Sequence, residues 1–168
     1  MSGEDTGREI IRVAHNRIVR EAPVMIRECL AKLSEEQVWW RPNRKANAVG
    51  NLVIHLCGAT RWFLGKGVGG VDYVRDRDGE FAERGPIPTA ALLTLLDGTV
   101  AEADRTIGGL APERLGDSTQ GIEPPMTVLA CLMRQSHHWA YHAGQVVTIT
   151  KLLREGAITD LYRRTMVK

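Results

Sequence analysis

The stretch that decides the fold is MTVLACLMRQSHHWAYHAGQVVTITKLLR, residues 126 to 154. The prolines of EPP precede it, and Gly156 follows its end. Apolar residues recur in it at spacings of three and four with no internal proline, which is typical of one face of an α-helix. No Asn-Gly hairpin turn lies between alternating apolar runs elsewhere in the chain. The sequence therefore predicts a helical protein.

Three further segments have helical spacing and are separated by loops marked with glycine and proline. The first covers residues 6 to 33, where Pro23 is expected to kink the helix because its ring removes one backbone hydrogen bond. The second follows Asn47, a capping residue, and ends at the glycines of GKGVGG. The third begins at Thr89, another cap, after GPIP. Four such segments predict an all-α four-helix bundle with a kinked first helix.

Length and composition favour one globular domain, residues 1 to 168, because the chain has 168 residues of which 43% are hydrophobic. The 22 basic and 20 acidic residues are dispersed, so the charge gives no case for a nucleic-acid or membrane partner. The first residues lack the apolar core of a signal peptide, and no run approaches 18 apolar residues, so the expected location is the cytoplasm. Three isolated cysteines form no CxxC pair and predict no disulfide framework.

A long loop is expected between the second and third helices, from residue 65 to residue 87. It contains RDRDGEF and could cover an opening or a partner surface. Its glycines are not a phosphate-binding loop, because GKGVGG follows a helix and matches neither the dinucleotide nor the Walker spacing. Arg75, Asp76, Arg77 and Asp78 could bind a polar substrate or pair with one another at a dimer contact, and pairing is the preferred interpretation.

Three histidines lie within six positions of the last helix, although a buried imidazole needs a polar partner. His138 and His142 are four residues apart, so they lie one turn apart on one helix face and could grip one ion. His137 points roughly 140° away from His142 and is expected on the outer face, near Tyr141. His55, in the middle of the second helix among core-facing residues, is the best third ligand.

The residues alone leave a second interpretation open, in which each histidine is an ordinary core or boundary residue bonded to a carbonyl group. A spacing of four residues is weak evidence by itself. The segment HWAYH also has no glutamate after its first histidine, so it does not match the helix of a metalloprotease. Spacing alone therefore does not decide between a metal site and simple packing.

Four motifs together, WWRPN, AVGNLVIHLCG, RDRDGEF and HHWAYHAGQVVTITKLL, resemble the DinB/YfiT-like superfamily of bacterial metal-binding four-helix bundles. The similarity covers nearly the whole chain, in order. Its most specific element is the ending HxxxHxGQ, present as His138, His142, Gly144 and Gln145, combined with His55 on the second helix. The resemblance implies that His55, His138 and His142 bind one divalent metal ion.

Three neutral imidazoles around an ion leave an open coordination position, which is typical of a catalytic metal. Imidazole suits several metals, of which zinc or nickel is expected here. The superfamily includes bacillithiol transferases and mycothiol-dependent maleylpyruvate isomerase, so the resemblance implies a thiol-dependent S-transferase or isomerase. Its partners would be a small-molecule substrate and a low-molecular-weight thiol. Two other classes stay open: a non-catalytic metal-binding or stress-response dimer, and a metal-assisted hydrolase using Asp76, Asp78 or Glu80.

Further residues are predicted as outer contacts of the ligands or as pocket walls. Gln145 lies one turn beyond His142 and could orient a ligand, although a hydrogen bond between helices is the simpler interpretation. Trp40 and Trp62 could wall the mouth of the pocket, or only anchor the loop and the core. Gly144 is expected to allow close helix packing.

A homodimer is also expected. Bundles of the superfamily commonly pair, and Trp39, Trp139, Leu161 and Tyr162 are interpreted as spare apolar and aromatic surface.

Overall fold

Four helical rods form the fold in the computed structural model, which describes residues 2–159. In chain order the α-helices are α1 (Gly3–His15), α2 (Ala22–Leu30), α3 (Glu35–Val38), α4 (Val49–Thr60), α5 (Arg77–Ala82), α6 (Thr89–Gly108) and α7 (Val128–Leu153). The rods are α1 with α2, then α4, α6 and α7, whereas α3 and α5 are short helices in the connections. No strand forms between residues 2 and 159 apart from an isolated bridge. The predicted all-α fold is confirmed.

Proline 23 is accommodated in the first rod by a π-helical segment. This segment, Asn16–Glu21, joins α1 to α2 without a break. Pro23 then lies in the first turn of α2, where its missing N–H costs least. Where a kink was predicted at Pro23, the structure therefore has a wider, π-helical turn just before it.

The helix starts differ slightly from those predicted. Ala48, not Asn47, precedes the first residue of α4, and the Asn51 side chain accepts the Ala48 N–H at 3.2 Å. Thr89 is the first residue of α6 instead of its cap, and its N–H donates a hydrogen bond to the Glu35 carboxylate at 2.9 Å. The capping predictions for Asn47 and Thr89 are therefore wrong by one residue, because Ala48 and Pro88 occupy the cap positions.

Two tryptophans that were expected on a free surface are packed against other residues, Trp139 completely and Trp39 in part. Trp139 is fully buried on α7, and its Nε1 donates to the Thr60 hydroxyl at 3.0 Å. Trp39 lies against Gly50 and Gly85, where an added Cβ would come within 2.7 and 2.5 Å of the indole. The surface argument for a homodimer is therefore wrong for Trp139, whereas Trp39 is only partly buried. Leu161 and Tyr162 lie outside the described residues, and the homodimer stays a prediction.

The long connection between α4 and α6 contains α5, which is fixed on α4 by a buried amide. Asn51 is fully buried and its Nδ2 donates to the backbone carbonyls of Glu80 and Glu83, each at 3.0 Å. Arg41 donates to the Asn51 Oδ1 at 2.5 Å and to the Glu83 carbonyl at 2.9 Å. The network places the buried side chain of Glu80 beside α4. Among residues 2–159, no helix has the length and apolar run needed to cross a membrane.

Candidate metal centre

The structure brings the three predicted histidines together between α4 and α7. His55 comes from the middle of α4, and His138 and His142 come from successive turns of α7. One ligand atom of each lies within 4.8 Å of the others, so the group could hold a metal ion. The Nε2 atoms of His55 and His138 are 2.9 Å apart. His55 and His142 are 7% and 8% exposed, so the cluster lies just beneath the surface.

Hydrogen bonds on the outer side of two rings turn their other nitrogens towards the cluster. His142 Nδ1 donates to the Gln145 Oε1 at 2.6 Å, and His55 Nδ1 donates to the Glu80 Oε2 at 2.8 Å. Because these bonds engage Nδ1, the Nε2 lone pairs of both rings are left for a ligand in the centre. The donor set therefore fits a divalent ion that prefers imidazole nitrogen. The Nδ1 of His138 is buried without a hydrogen-bond partner among residues 2–159.

The environment of α7 keeps two of these imidazoles uncharged. Burial, helped by the neighbouring His142 and His55, lowers the pKa of His138 to about 3. Burial also lowers the pKa of His142, although the hydrogen bond to Gln145 opposes this shift. A neutral imidazole has the free lone pair that metal coordination requires. Both residues are therefore in the binding-competent form at neutral pH.

Glu80 contacts the histidine cluster, although sequence reasoning did not place it there. Its carboxylate is only 6% exposed and contacts His55 on one side and Arg75 on the other. Burial would raise the pKa of Glu80, but the hydrogen bonds from His55 and Arg75 outweigh it and hold this pKa below its usual value. The carboxylate is therefore ionised and accepts the His55 Nδ1–H.

Within the single chain, residues 2–159, the charged loop residues Arg75, Asp76, Arg77 and Asp78 form no ion pair with one another. Arg75 pairs with Glu80 instead of Asp76 or Asp78, through bonds of 2.7 and 2.8 Å. Asp76 caps α5 by accepting the Gly79 N–H at 2.9 Å. Within one chain, Arg75 is therefore engaged by the glutamate that follows RDRD, and the preferred interpretation, pairing at a dimer contact, stays a prediction.

The predictions for the residues around the site are confirmed for some residues and wrong for others. Gln145 bonds to His142 on its own helix and not to another helix. His137 is exposed and its ring lies 6.1 Å from that of Tyr141, so it faces outward as expected. Apart from contacts with one another, the three clustered histidines have ring contacts with Phe81 and Tyr141 within the part of the chain described. Neither Trp62 nor Trp40 has a ring contact with these histidines among the described residues. Trp62 lies under Lys66, and Trp40 lines a separate cleft near Arg84.

A cavity of about 600 Å³ lies next to Gln145, the hydrogen-bond partner of His142. Tyr141, Gly144 and Gln145 form part of its wall, and Lys45 lies on the opposite loop. An added Cβ at Gly144 would meet nothing within 4 Å, so this glycine faces the cavity. The prediction that Gly144 allows close helix packing is therefore wrong. A larger cavity, of about 720 Å³, is lined by Arg61, Arg105 and other residues. Among residues 2–159, the lining of neither cavity includes any of the three histidines.

Comparison with protein families adds an independent result, since residues 5–162 match the family described as protein of unknown function (DUF1572). The chain belongs to this family. The DUF1572 chain is also similar to a crystal structure of a DinB-like protein, YjoA, from Bacillus subtilis. That similarity has a TM-score of 0.63 and 16% identity over 88% of this chain and 93% of the other. No curated protein matches the DUF1572 chain significantly.

A second DinB-like protein, from Bacillus cereus, has a TM-score of 0.56 and 17% identity. Here the similarity covers 79% of this chain and 86% of the other. At 16% and 17% identity, these two structural similarities show a shared fold and nothing beyond it. They confirm the DinB-like fold that the sequence resemblance implies.

Proposed function

We propose that the protein binds one divalent metal ion, zinc or nickel, through His55, His138 and His142. We further propose that it acts as a thiol-dependent S-transferase or isomerase on a small molecule. The observation that carries the proposal is the convergence of three imidazoles within 4.8 Å, two of them with Nδ1 engaged by outer acceptors. Three protein ligands are the number typical of catalytic zinc sites, which keep one position open. When bound, such an ion lowers the pKa of a thiol that coordinates it.

The position of a substrate is proposed from the cavity next to Gln145. Its volume, about 600 Å³, is in the range that holds small organic ligands. Gln145 connects the cavity to the cluster, because the same side chain lines the wall and bonds to His142. Lys45 alone is charged among the described residues that line it, and Leu52 and Ile149 are apolar. These walls favour a small molecule with a negative charge next to an apolar portion.

Hydrolysis is less well supported than thiol chemistry. A hydrolytic site needs a carboxylate that is free to take a proton from water. Glu80 is the loop acid that reaches the histidines, but hydrogen bonds from Arg75 and His55 occupy both of its oxygens. Its position on the outer side of His55 suits a supporting role and not that of a base.

The proposal is tested by replacing the bound metal with cobalt and adding small thiols. A thiol that coordinates the ion is expected to lose its proton and produce a sulfur-to-metal charge-transfer band. The band should grow with pH, because the thiolate fraction rises as pH approaches and passes the lowered pKa of the thiol. It should be absent in His142→Ala. A cobalt protein whose spectrum responds to no thiol would instead favour the non-catalytic metal-binding class.

The cavity is tested by Gly144→Leu. Because nothing lies within 4 Å of the added Cβ, the leucine is expected to fill the cavity without disturbing α7, where it is also a better helix former than glycine. Thiol binding to the cobalt protein should weaken about 10-fold or more, while cobalt affinity stays unchanged. Gly98→Leu, on the exposed side of α6, is the matched control and should change neither quantity. Unchanged thiol binding in Gly144→Leu would exclude this cavity.

A further inference from the structure

We propose that Glu80 is a positioning residue of the metal centre, which fixes the proton of His55 on Nδ1 and so keeps the Nε2 lone pair available to a metal ion. The inference rests on the proposed metal site and extends it to the RDRDGEF segment. It gives this segment a role in metal binding through α5, the helix that carries Glu80.

The first argument is the choice of proton position at His55. Glu80 Oε2 lies 2.8 Å from Nδ1, and Nη2 of Arg75 lies 3.2 Å from the same nitrogen. A guanidinium has only donors, whereas an ionised carboxylate has only acceptors. Without the carboxylate, Arg75 would donate to Nδ1 and the imidazole proton would move to Nε2. Nε2 faces His138, so the carboxylate decides whether a lone pair or a proton points into the cluster.

The second argument is that the carboxylate is locked in place. Arg75 binds both oxygens in a fork, with bonds of 2.7 and 2.8 Å, which is the strong bidentate geometry. On the α4 side the carboxylate occupies the space next to Gly58, where an added Cβ would lie 2.0 Å from Oε1. Any larger residue at position 58 would therefore displace Glu80, which Arg75 prevents from moving freely.

The third argument concerns α5 as a whole. Asn51 and Arg41 hold its carbonyl groups against α4, so the helix that carries Glu80 is anchored independently of the carboxylate. The ring of Phe81, the next residue, lies 4.5 Å from the ring of His55. Two consecutive residues of α5 thus contact the same imidazole. This arrangement orients His55 and is more than a surface ion pair between Arg75 and Glu80.

The test compares Glu80→Gln with Asp78→Asn, which removes one negative charge from an exposed position of the same helix. Zinc affinity is measured by competition with a chelator, and the tautomer of His55 by long-range proton–nitrogen NMR on the metal-free protein. An amide has one oxygen, so Arg75 and the Nδ1–H compete for it. Zinc binding in Glu80→Gln is expected to weaken about 10- to 100-fold, with His55 shifted towards the Nε2–H form. Asp78→Asn should resemble the wild type in both measurements.

Wild-type zinc affinity and an unchanged Nδ1–H tautomer in Glu80→Gln would overturn the inference. If Glu80→Gln does not fold, the double variant Arg75→Ala/Glu80→Ala leaves no buried unpaired charge and serves the same comparison. His55 is expected to lose its fixed Nδ1–H form in it, and retention of that form would also overturn the inference. A wild-type protein that takes up neither zinc nor nickel would refute the proposed metal site instead. The tautomer of the metal-free protein would still decide whether Glu80 positions His55.

Discussion

The substitution His142→Ala is expected to weaken divalent metal binding by more than roughly 100-fold, and His55→Ala and His138→Ala should have the same effect. Loss of an outer-shell hydrogen bond typically costs 10- to 100-fold in metal affinity, and loss of a ligand removes a whole coordinate bond. Two remaining imidazoles then hold the ion with half of a tetrahedral set. The measurement is metal content per chain by elemental analysis, followed by zinc titration against a chelator.

His137→Ala is the matched control for this loss. It removes an imidazole directly next to His138, but from an exposed position whose described ring contact is with Tyr141. Full metal occupancy is expected in this variant. Full occupancy in His55→Ala would show that the third ligand has been assigned wrongly. Full occupancy in all three ligand variants would place any bound metal outside this cluster.

The histidines of the last helix could be located from the sequence because helical geometry is regular. A spacing of four residues fixes the relative direction of His138 and His142 once the segment is known to be helical. The orientation of His137 follows from the same rule, and its exposed position agrees with it. His55 required more, since its distance from α7 depends on how two rods pack. Its place in an apolar stretch of the second helix supplied that information.

Glu80 could not be placed by the same reasoning. It lies on a helix of six residues, too short to show an apolar period, within a connection whose path depends on tertiary contacts. The side chains that hold this helix, Arg41 and Asn51, come from other parts of the chain. A local signal did exist, because Asp76 followed by a glycine three residues later is compatible with a helix cap. That signal predicts a helix start but not its contact with His55.

Trp139 was misplaced although its position could have been read from helical spacing. It continues the stripe of buried residues on α7 that includes Leu132, Gln135, Ala143 and Val146, with steps of three and four. This buried stripe adjoins the helix face that carries His138 and His142. A wide buried face is what a helix in the interior of a bundle requires. The burial of Trp139 leads to the second large prediction.

Trp139→Ala is expected to lower the free energy of unfolding by about 3–5 kcal/mol, the usual cost of removing a fully buried aromatic side chain. The loss combines the transfer of apolar surface with the cavity left in a close-packed core. For a chain of this size it corresponds to a fall in melting temperature on the order of 10 °C. Urea denaturation in the presence of a chelator measures the change without a contribution from bound metal.

Two further variants separate the parts of this loss. Trp139→Phe keeps most of the apolar volume and removes the Nε1–H, while the Thr60 hydroxyl still donates to the Leu56 carbonyl at 2.8 Å. It should therefore cost about 1–2 kcal/mol, close to the value of one hydrogen bond with a small packing defect. Trp40→Ala, at a side chain that is 37% exposed, should cost less than either. If Trp139→Ala were no more destabilising than Trp40→Ala, Trp139 would not lie in the core, and its assignment to a free surface would have to be reconsidered.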